Sequence, residues 1–259
     1  MLDAQSLYDD IIAGSYDTDR FRLLSRSRDI ALDQLRRHLT DSPPADVLDL
    51  ALGTGEILVE LQGLFPGARL SGIDISRRMI DIAQQKLELN AIHDDLANVS
   101  SHIEPDSHDL ALLHFVLSYV DTDKALADTA RLLRDGGLCS IATSTFDSFK
   151  VLQGLAHLVM PADEMKRLAD LPENPAELAA LLEAAGFDVV ERHVLTEKVR
   201  FEDFAELNDW GTNSGWLTQY FTRITDEQAR MLSAVGGVFP LEDEFQGAIM
   251  LLRKRSQAA

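Results

Sequence analysis

The sequence predicts an α/β fold built on a doubly wound, mainly parallel sheet with helices on both faces. Three observations predict it. Between Val47 and Ala142, short apolar runs of strand type alternate with stretches of helical periodicity. At residues 47–56 a strand ends in a carboxylate, passes through a loop of small residues and enters a helix. Finally, 46% of the 259 residues are apolar, enough to cover both faces of a sheet and too many for a disordered chain.

The elements follow in order. Asp3 to Ala13 reads as a short helix. Asp19 to Leu39 reads as a longer one, with Phe21, Leu24, Ala31, Leu35 and Leu39 at roughly helical intervals. Asp41 to Pro44 breaks that pattern, so residues 1–45 form an N-terminal helical cap. Val47 to Leu50 is a buried strand, and Glu56 to Leu64 is a helix with Ile57, Leu58, Leu61 and Leu64 on one face. After the Pro66-Gly67 turn, Leu70 to Ile73 is the second strand, and Ser76 caps a helix running to about Asn90. Leu110 to Leu113 is a strand and Asp121 to Leu133 a helix, and Asp135-Gly136-Gly137 turns the chain into the strand Leu138 to Ala142. Asn174-Pro175 opens a helix that stops at Gly186, with proline at its first position and glycine just past its end. Phe187 to Val194 and Ala248 to Leu252 complete six strands. The spacing thus gives one domain over 1–259, with a ligand-binding core at 46–142. Segments 143–172 and 196–240 are too long for simple crossovers and are expected to form a lid at the carboxyl edge of the sheet, where open α/β sheets bind ligands.

Composition narrows the function. With 24 Lys+Arg against 43 Asp+Glu the formal charge is −19, which argues against nucleic acid, because phosphate affinity comes from basic side chains. The single cysteine, Cys139, excludes an internal disulfide and a cysteine-cluster metal site. The longest apolar run, Leu110 to Val120, is interrupted by His114 and Ser118 and falls short of the roughly 20 residues that span a bilayer. Met1 to Asp10 is acidic and lacks the basic start of a secretory signal. These features predict a cytoplasmic protein with no membrane partner. No histidine or carboxylate spacing predicts a metal ion.

The stretch Val47-Leu48-Asp49-Leu50-Ala51-Leu52-Gly53-Thr54-Gly55-Glu56 carries the chemistry. Small residues let the backbone approach a ligand closely. The fingerprint of nicotinamide dinucleotide sites needs a third glycine, and Leu58 stands in its place here. Asp49 is also a poor neighbour for pyrophosphate, but it suits an ammonium or sulfonium group. Asp74, at the end of the second strand, can accept hydrogen bonds from both hydroxyls of a ribose.

Here the chain resembles the class I S-adenosylmethionine-dependent methyltransferases. Asp49, Ala51, Gly53 and Gly55 stand at the positions of that family's acidic–x–Gly–x–Gly–x–Gly loop, with Ala51 replacing its first glycine. Asp74 matches the ribose-binding acid, and one of Asp94 and Asp95, followed by Leu96, lies where an acid holds the adenine amino group. Pro105 to Leu110 resembles the turn before strand four, and Arg134-Asp135-Gly136-Gly137 the turn before strand five, with Asp135 in place of proline. Tyr8-Asp9 and Tyr16-Asp17 look like the segment that caps the cofactor in small-molecule members, and Pro172 to Phe187 like their sixth-strand unit. The layout is similar to malonyl-carrier-protein methyltransferases and to natural-product tailoring methyltransferases. The resemblance implies a Rossmann-like sheet of seven strands and the cofactor S-adenosyl-L-methionine, released as S-adenosyl-L-homocysteine. Its contacts would include Asp49, Ala51, Gly53, Gly55, Asp74, Ile75, Met79, Asp94 or Asp95, Leu96 and His114.

The acceptor is expected to be a small molecule, methylated on oxygen, nitrogen or carbon by in-line displacement under a lid that excludes water. Trp210, Trp216 and Tyr220 are the expected aromatic wall of its pocket, and residues 211–215 between the tryptophans read as a hinge. His114, at the end of strand four, is the first candidate for a general base and Tyr16 the second. Two other readings stay open. One is a nicotinamide-dependent oxidoreductase. The other is a cofactor-binding protein that has lost methyl transfer. The acceptor atom and the oligomeric state, a homodimer included, are not legible in the sequence.

Overall fold

The computed structural model describes residues 4–161, 171–234 and 237–256. Seven strands form one sheet in the order β3-β2-β1-β4-β5-β7-β6. The strands are β1 (Asp46–Leu50), β2 (Arg69–Asp74), β3 (Asn90–His93), β4 (His108–His114), β5 (Leu133–Ser144), β6 (Phe187–Phe201) and β7 (Leu241–Lys254). The first five are parallel, whereas β7 runs antiparallel to β5 and pairs with β6 as a long hairpin. The strand order reverses between β1 and its neighbours β2 and β4, and that switch point opens a crevice at the carboxyl ends of the strands.

Both faces of the sheet carry a buried apolar cluster. Leu48, Leu50, Leu113, Ile141 and Phe187 pack on one side, with α5 (Thr122–Leu132) and α7 (Pro175–Ala184). Val47, Leu58, Leu61, Leu110 and Leu251 pack on the other, with α2 (Leu23–Leu39), α3 (Glu56–Leu64) and α4 (Arg77–Lys86). The N-terminal cap comprises α1 (Ala4–Leu7), a following π turn (Tyr8–Ile12) and a single 3-10 turn at Tyr16–Thr18. A third cluster, around Phe201, Trp210 and Phe245, joins the cap and the sheet to α6 (Lys150–Ala156) and α8 (Phe204–Asn213). The short α9 (Thr218–Phe221) and α10 (Asp226–Ser233) follow α8 in the segment before β7.

Several boundaries differ from those the sequence predicts. The second helix begins at Leu23 rather than Asp19, because Asp19 and Arg22 both take positive φ and Asp19 instead accepts the N–H groups of Leu24 and Ser25. The helix after Ser76 ends at Lys86, and Asn90 already belongs to β3, a short edge strand. Asp135-Gly136-Gly137 is not a turn ahead of β5 but an irregularity within it, where the register jumps from His108–Leu133 to Leu110–Leu138. Arg134 there binds Asp109 at 2.6 Å and Asp46 at 2.8 Å, clamping the starts of β4 and β1. The β6–β7 hairpin extends to Phe201 and Leu241, so the expected insertion at 196–240 shrinks by several residues at its start. The predicted hinge at 211–215 is half helical: Gly211 is buried in α8 against the ring of Phe221. Of the other lid segment, 143–172, residues 162–170 lie outside the described residues.

Candidate functional site

The loop after β1 owes its shape to glycine. Gly53 and Gly55 have φ of 52° and 75°, and a Cβ on Gly55 would lie 2.9 Å from that of Ala83. Ala51 adopts φ 133°, a region that disfavours any side chain. The loop is pinned by Asp74. Gly53 N–H donates to its Oδ2 at 2.7 Å, and Ser76 N–H donates to its Oδ1 at 2.8 Å. A carboxylate offers about four acceptor positions, so each oxygen retains one.

Two lobes of one cleft lie above this loop. Tyr16, Ala51, Gly53, His114 and Phe115 line both. The first lobe adds Asp49, Gly55 and Arg28, and the second adds Asp74, Ile75, Asp95 and Leu96. Asp49 is 2% exposed, and its carboxylate takes no hydrogen bond among the described residues. Burial, with the nearby Asp74 charge, pushes its carboxyl well above the usual range. Burial also raises Asp74, against the lowering effect of the two N–H donors. Across the first lobe, the buried Nε of Arg28 has no partner, and its guanidinium stands 3.9 Å from Glu56. The sequence reading missed Arg28, because one arginine on an amphipathic helix looks like solvated charge.

The cap closes over the cleft through its two Tyr-Asp pairs. Each aspartate anchors and each tyrosine faces inward. Asp9 accepts the Ser76 hydroxyl at 2.5 Å and the N–H of Arg78 at 3.1 Å. Asp17 accepts the Thr54 hydroxyl at 2.6 Å and pairs with Lys86 at 2.8 Å. Half-buried Tyr8 packs edge-on against Tyr16 and Tyr119, and desolvation raises all three phenols, so they stay protonated at neutral pH. The Ser15 hydroxyl donates to the carbonyl oxygen of Asn213 at 2.8 Å, joining cap and lid.

Next to the cleft is a second cavity, rich in aromatic residues. Tyr16 and Phe115 line it as well, together with Trp216, Tyr220, Leu155 and Phe149. Of the expected aromatic wall, Trp216 and Tyr220 face this cavity. Trp210 does not: it is 6% exposed and packs edge-on or tilted against Phe21, Phe149 and Phe201 in the core.

The remaining expected residues are placed as follows. His114 ends β4 and lines the cleft but not the second cavity. Its Nε2 lies 2.9 Å from the Ser140 hydroxyl, and burial pushes its pKa down to about 4. Met79 is buried against Ile12 and Ala13 and does not line the cleft, because its helix turns that side chain to the cap. Between Asp94 and Asp95 the cleft takes Asp95. Asp94 bonds Asn98, His102 and the N–H of Asp95, which hold its carboxyl down at about 2. No cluster suited to a metal ion occurs among the described residues, and none of their helices is long and apolar enough to cross a membrane.

Residues 47–137 match the family model described as a methyltransferase domain. The chain is 28% identical over 143 residues to a ubiquinone/menaquinone biosynthesis C-methyltransferase of Desulfotalea psychrophila, covering 52% of this chain and 56% of that one. It is 33% identical over 107 residues to a malonyl-[acyl-carrier protein] O-methyltransferase of Hahella chejuensis, covering 38% and 36%. The match thus spans about half of the first relative and about a third of the second. Among solved structures, the plantazolicin methyltransferase BamL, in complex with a triazolic desmethylPZN analogue and SAH, superposes with a TM-score of 0.56 at 19% identity, over 98% of this chain and 94% of that one. At that identity the likeness is one of fold.

Proposed function

We propose that this chain, a class I methyltransferase in its fold and its glycine-loop core, transfers a methyl group from S-adenosylmethionine to a small-molecule acceptor. One observation carries the reading: an unpaired buried carboxylate, Asp49, and an arginine with a partnerless buried Nε, Arg28, share one lobe of the cleft. That pair matches the ammonium and carboxylate of an amino acid. A nicotinamide dinucleotide has neither group, and its pyrophosphate would meet Asp49 instead. In the second lobe, Asp74 keeps free acceptor positions for two ribose hydroxyls, and Ile75 and Leu96 give an adenine ring apolar walls beside Asp95. When bound, the cofactor supplies a methyl group on a positively charged sulfur, already activated for attack by a nucleophile.

The chain's own residues then hold, align and exclude. Asp49 and Arg28 fix the amino-acid end, and Asp74 fixes the sugar. Tyr16 and Phe115, which line both lobes of the cleft and the second cavity, stand where the two reactants meet. The cap and lid, tied through Ser15 and Asn213, keep water from that junction. His114 is neutral at pH 7 and stays on the cleft side, where it positions the wall. Tyr8 and Tyr119 also line the second lobe and the second cavity, but Tyr16 is the tyrosine that lines both lobes as well, and as a protonated phenol it donates a hydrogen bond rather than taking a proton.

Calorimetric titration with S-adenosylmethionine, S-adenosylhomocysteine and NAD tests this reading. Binding of both adenosyl ligands and not of NAD supports it. Absence of binding by both adenosyl ligands overturns it.

A further inference from the structure

The second cavity differs in character from the rest of the molecule. Charged residues make up 26% of the chain, yet none of Asp, Glu, Lys, Arg or His lines this cavity among the described residues. All four tyrosines of the chain do: Tyr8, Tyr16, Tyr119 and Tyr220. Several polar groups in its wall are committed to the protein itself. Tyr8 bonds the hydroxyl of Tyr119, which donates to the carbonyl oxygen of Gly215 at 3.3 Å. The Ser148 hydroxyl donates to the carbonyl oxygen of Gln246 at 2.6 Å. The Gln153 amide donates to the carbonyl oxygens of Phe146 and Ser148 at 2.9 and 2.7 Å. The Tyr16 hydroxyl, which takes no hydrogen bond among the described residues, is left at the junction with the cleft.

From this we infer that the acceptor is an uncharged, mainly apolar molecule with a single polar function at the end nearest Tyr16, and that carboxylate and phosphate acceptors are rejected. The inference rests on the methyl-transfer reading and narrows its substrate class. The physical ground is desolvation. A buried anion needs a cation or several converging donors, and the described residues of this wall supply no cation. Aromatic and aliphatic side chains favour a neutral apolar body by removing its surface from water. One hydroxyl then orients it.

The test titrates the chain, without cofactor, with two matched pairs: 2-naphthol against 2-naphthoate, and geraniol against geranyl diphosphate. The expected result is at least about tenfold tighter binding of the neutral member of a pair. Leu155→Lys, which puts a cation in the α6 wall, is expected to narrow or reverse that preference. Equal or tighter binding of the anions to the unaltered chain, or no binding of either neutral compound, overturns the inference. Because the cofactor is absent from these titrations, their failure is distinct from a failure to bind S-adenosylhomocysteine, which would overturn the methyl-transfer reading instead.

Discussion

The backbone N–H of Gly53 donates to the carboxylate of Asp74 across 2.7 Å, so the acid that ends the second strand holds the loop that follows the first. The same side chain also receives the N–H of Ser76 and lines the cleft. One residue therefore shapes the loop and presents its remaining acceptor positions to a ligand. Loop order and nucleoside affinity are coupled through it, whereas Asp49, with no such internal bonds, acts on the ligand alone.

Asp49 supplies a pH-dependent prediction. Its carboxyl is raised in the folded chain, so the fold holds a proton that the unfolded chain has released. The resulting cost is absent below the unfolded pKa and grows as pH rises above it. Asp49→Asn is expected to raise the melting temperature of the free chain at pH 7 and to leave it unchanged near pH 3. The same change is expected to weaken S-adenosylhomocysteine binding at pH 7. Melting curves across pH, with and without the ligand, check both halves.

His114 has the opposite sign. Its folded pKa of about 4 lies below the ordinary value, so the unfolded chain binds a proton that the fold refuses. Stability is lost as pH falls from about 6.5 toward 4, by at most about 3 kcal/mol for such a shift. His114→Gln keeps a group able to bond Ser140 and removes the titration. The variant is expected to lose less stability than the unaltered chain between pH 6.5 and 4, measured by urea unfolding.

The two tryptophans should separate stability from acceptor choice. Trp210 is packed among three phenylalanines, and Trp210→Ala is expected to cost about 3–5 kcal/mol of stability. Trp216 is partly exposed and lines the second cavity, against Phe115 and Phe245. Trp216→Ala is expected to cost less stability and to reduce 2-naphthol binding more than S-adenosylhomocysteine binding. Thermal unfolding beside the two titrations decides.

Gly55→Ala tests the loop itself. It combines a positive φ with a Cβ placed 2.9 Å from Ala83 and 3.2 Å from Leu87, so helix α4 must shift. A loss of about 1–3 kcal/mol in chemical denaturation is expected. Gly63 also lies in α3, but a Cβ there meets nothing within 4 Å, so Gly63→Ala is expected to be neutral or slightly stabilising.

The sequence spoke most clearly where burial is complete. Strands β1 and β4 are apolar because both faces are covered, and the loop from Asp49 to Gly55 is legible because its backbone demands small residues. Strand β3 was hidden because Asn90–His93 is a short edge strand, half exposed and partly polar. The outer β6–β7 hairpin was hidden because its exposed positions alternate charge, as in Arg200 against Glu242, and read as loop. Trp210 and Trp216 look alike along the chain, and tertiary packing sends one to the core and the other to the cavity. Arg28 was missed because only the fold reveals that its Nε is enclosed. Asp95 could be told from Asp94 only once His102 and Asn98 were seen to occupy Asp94.

The most direct test of the cofactor site is the affinity of S-adenosylhomocysteine for the chain and for Asp74→Ala, titrated side by side. Micromolar binding by the unaltered chain is expected, about −8 kcal/mol. Losing hydrogen bonds to a charged group costs about 1.5–3 kcal/mol, so the variant should bind roughly 10- to 150-fold more weakly. Equal affinity in the two proteins would contradict the assignment of the ribose site, and no binding by the unaltered chain would contradict the cofactor.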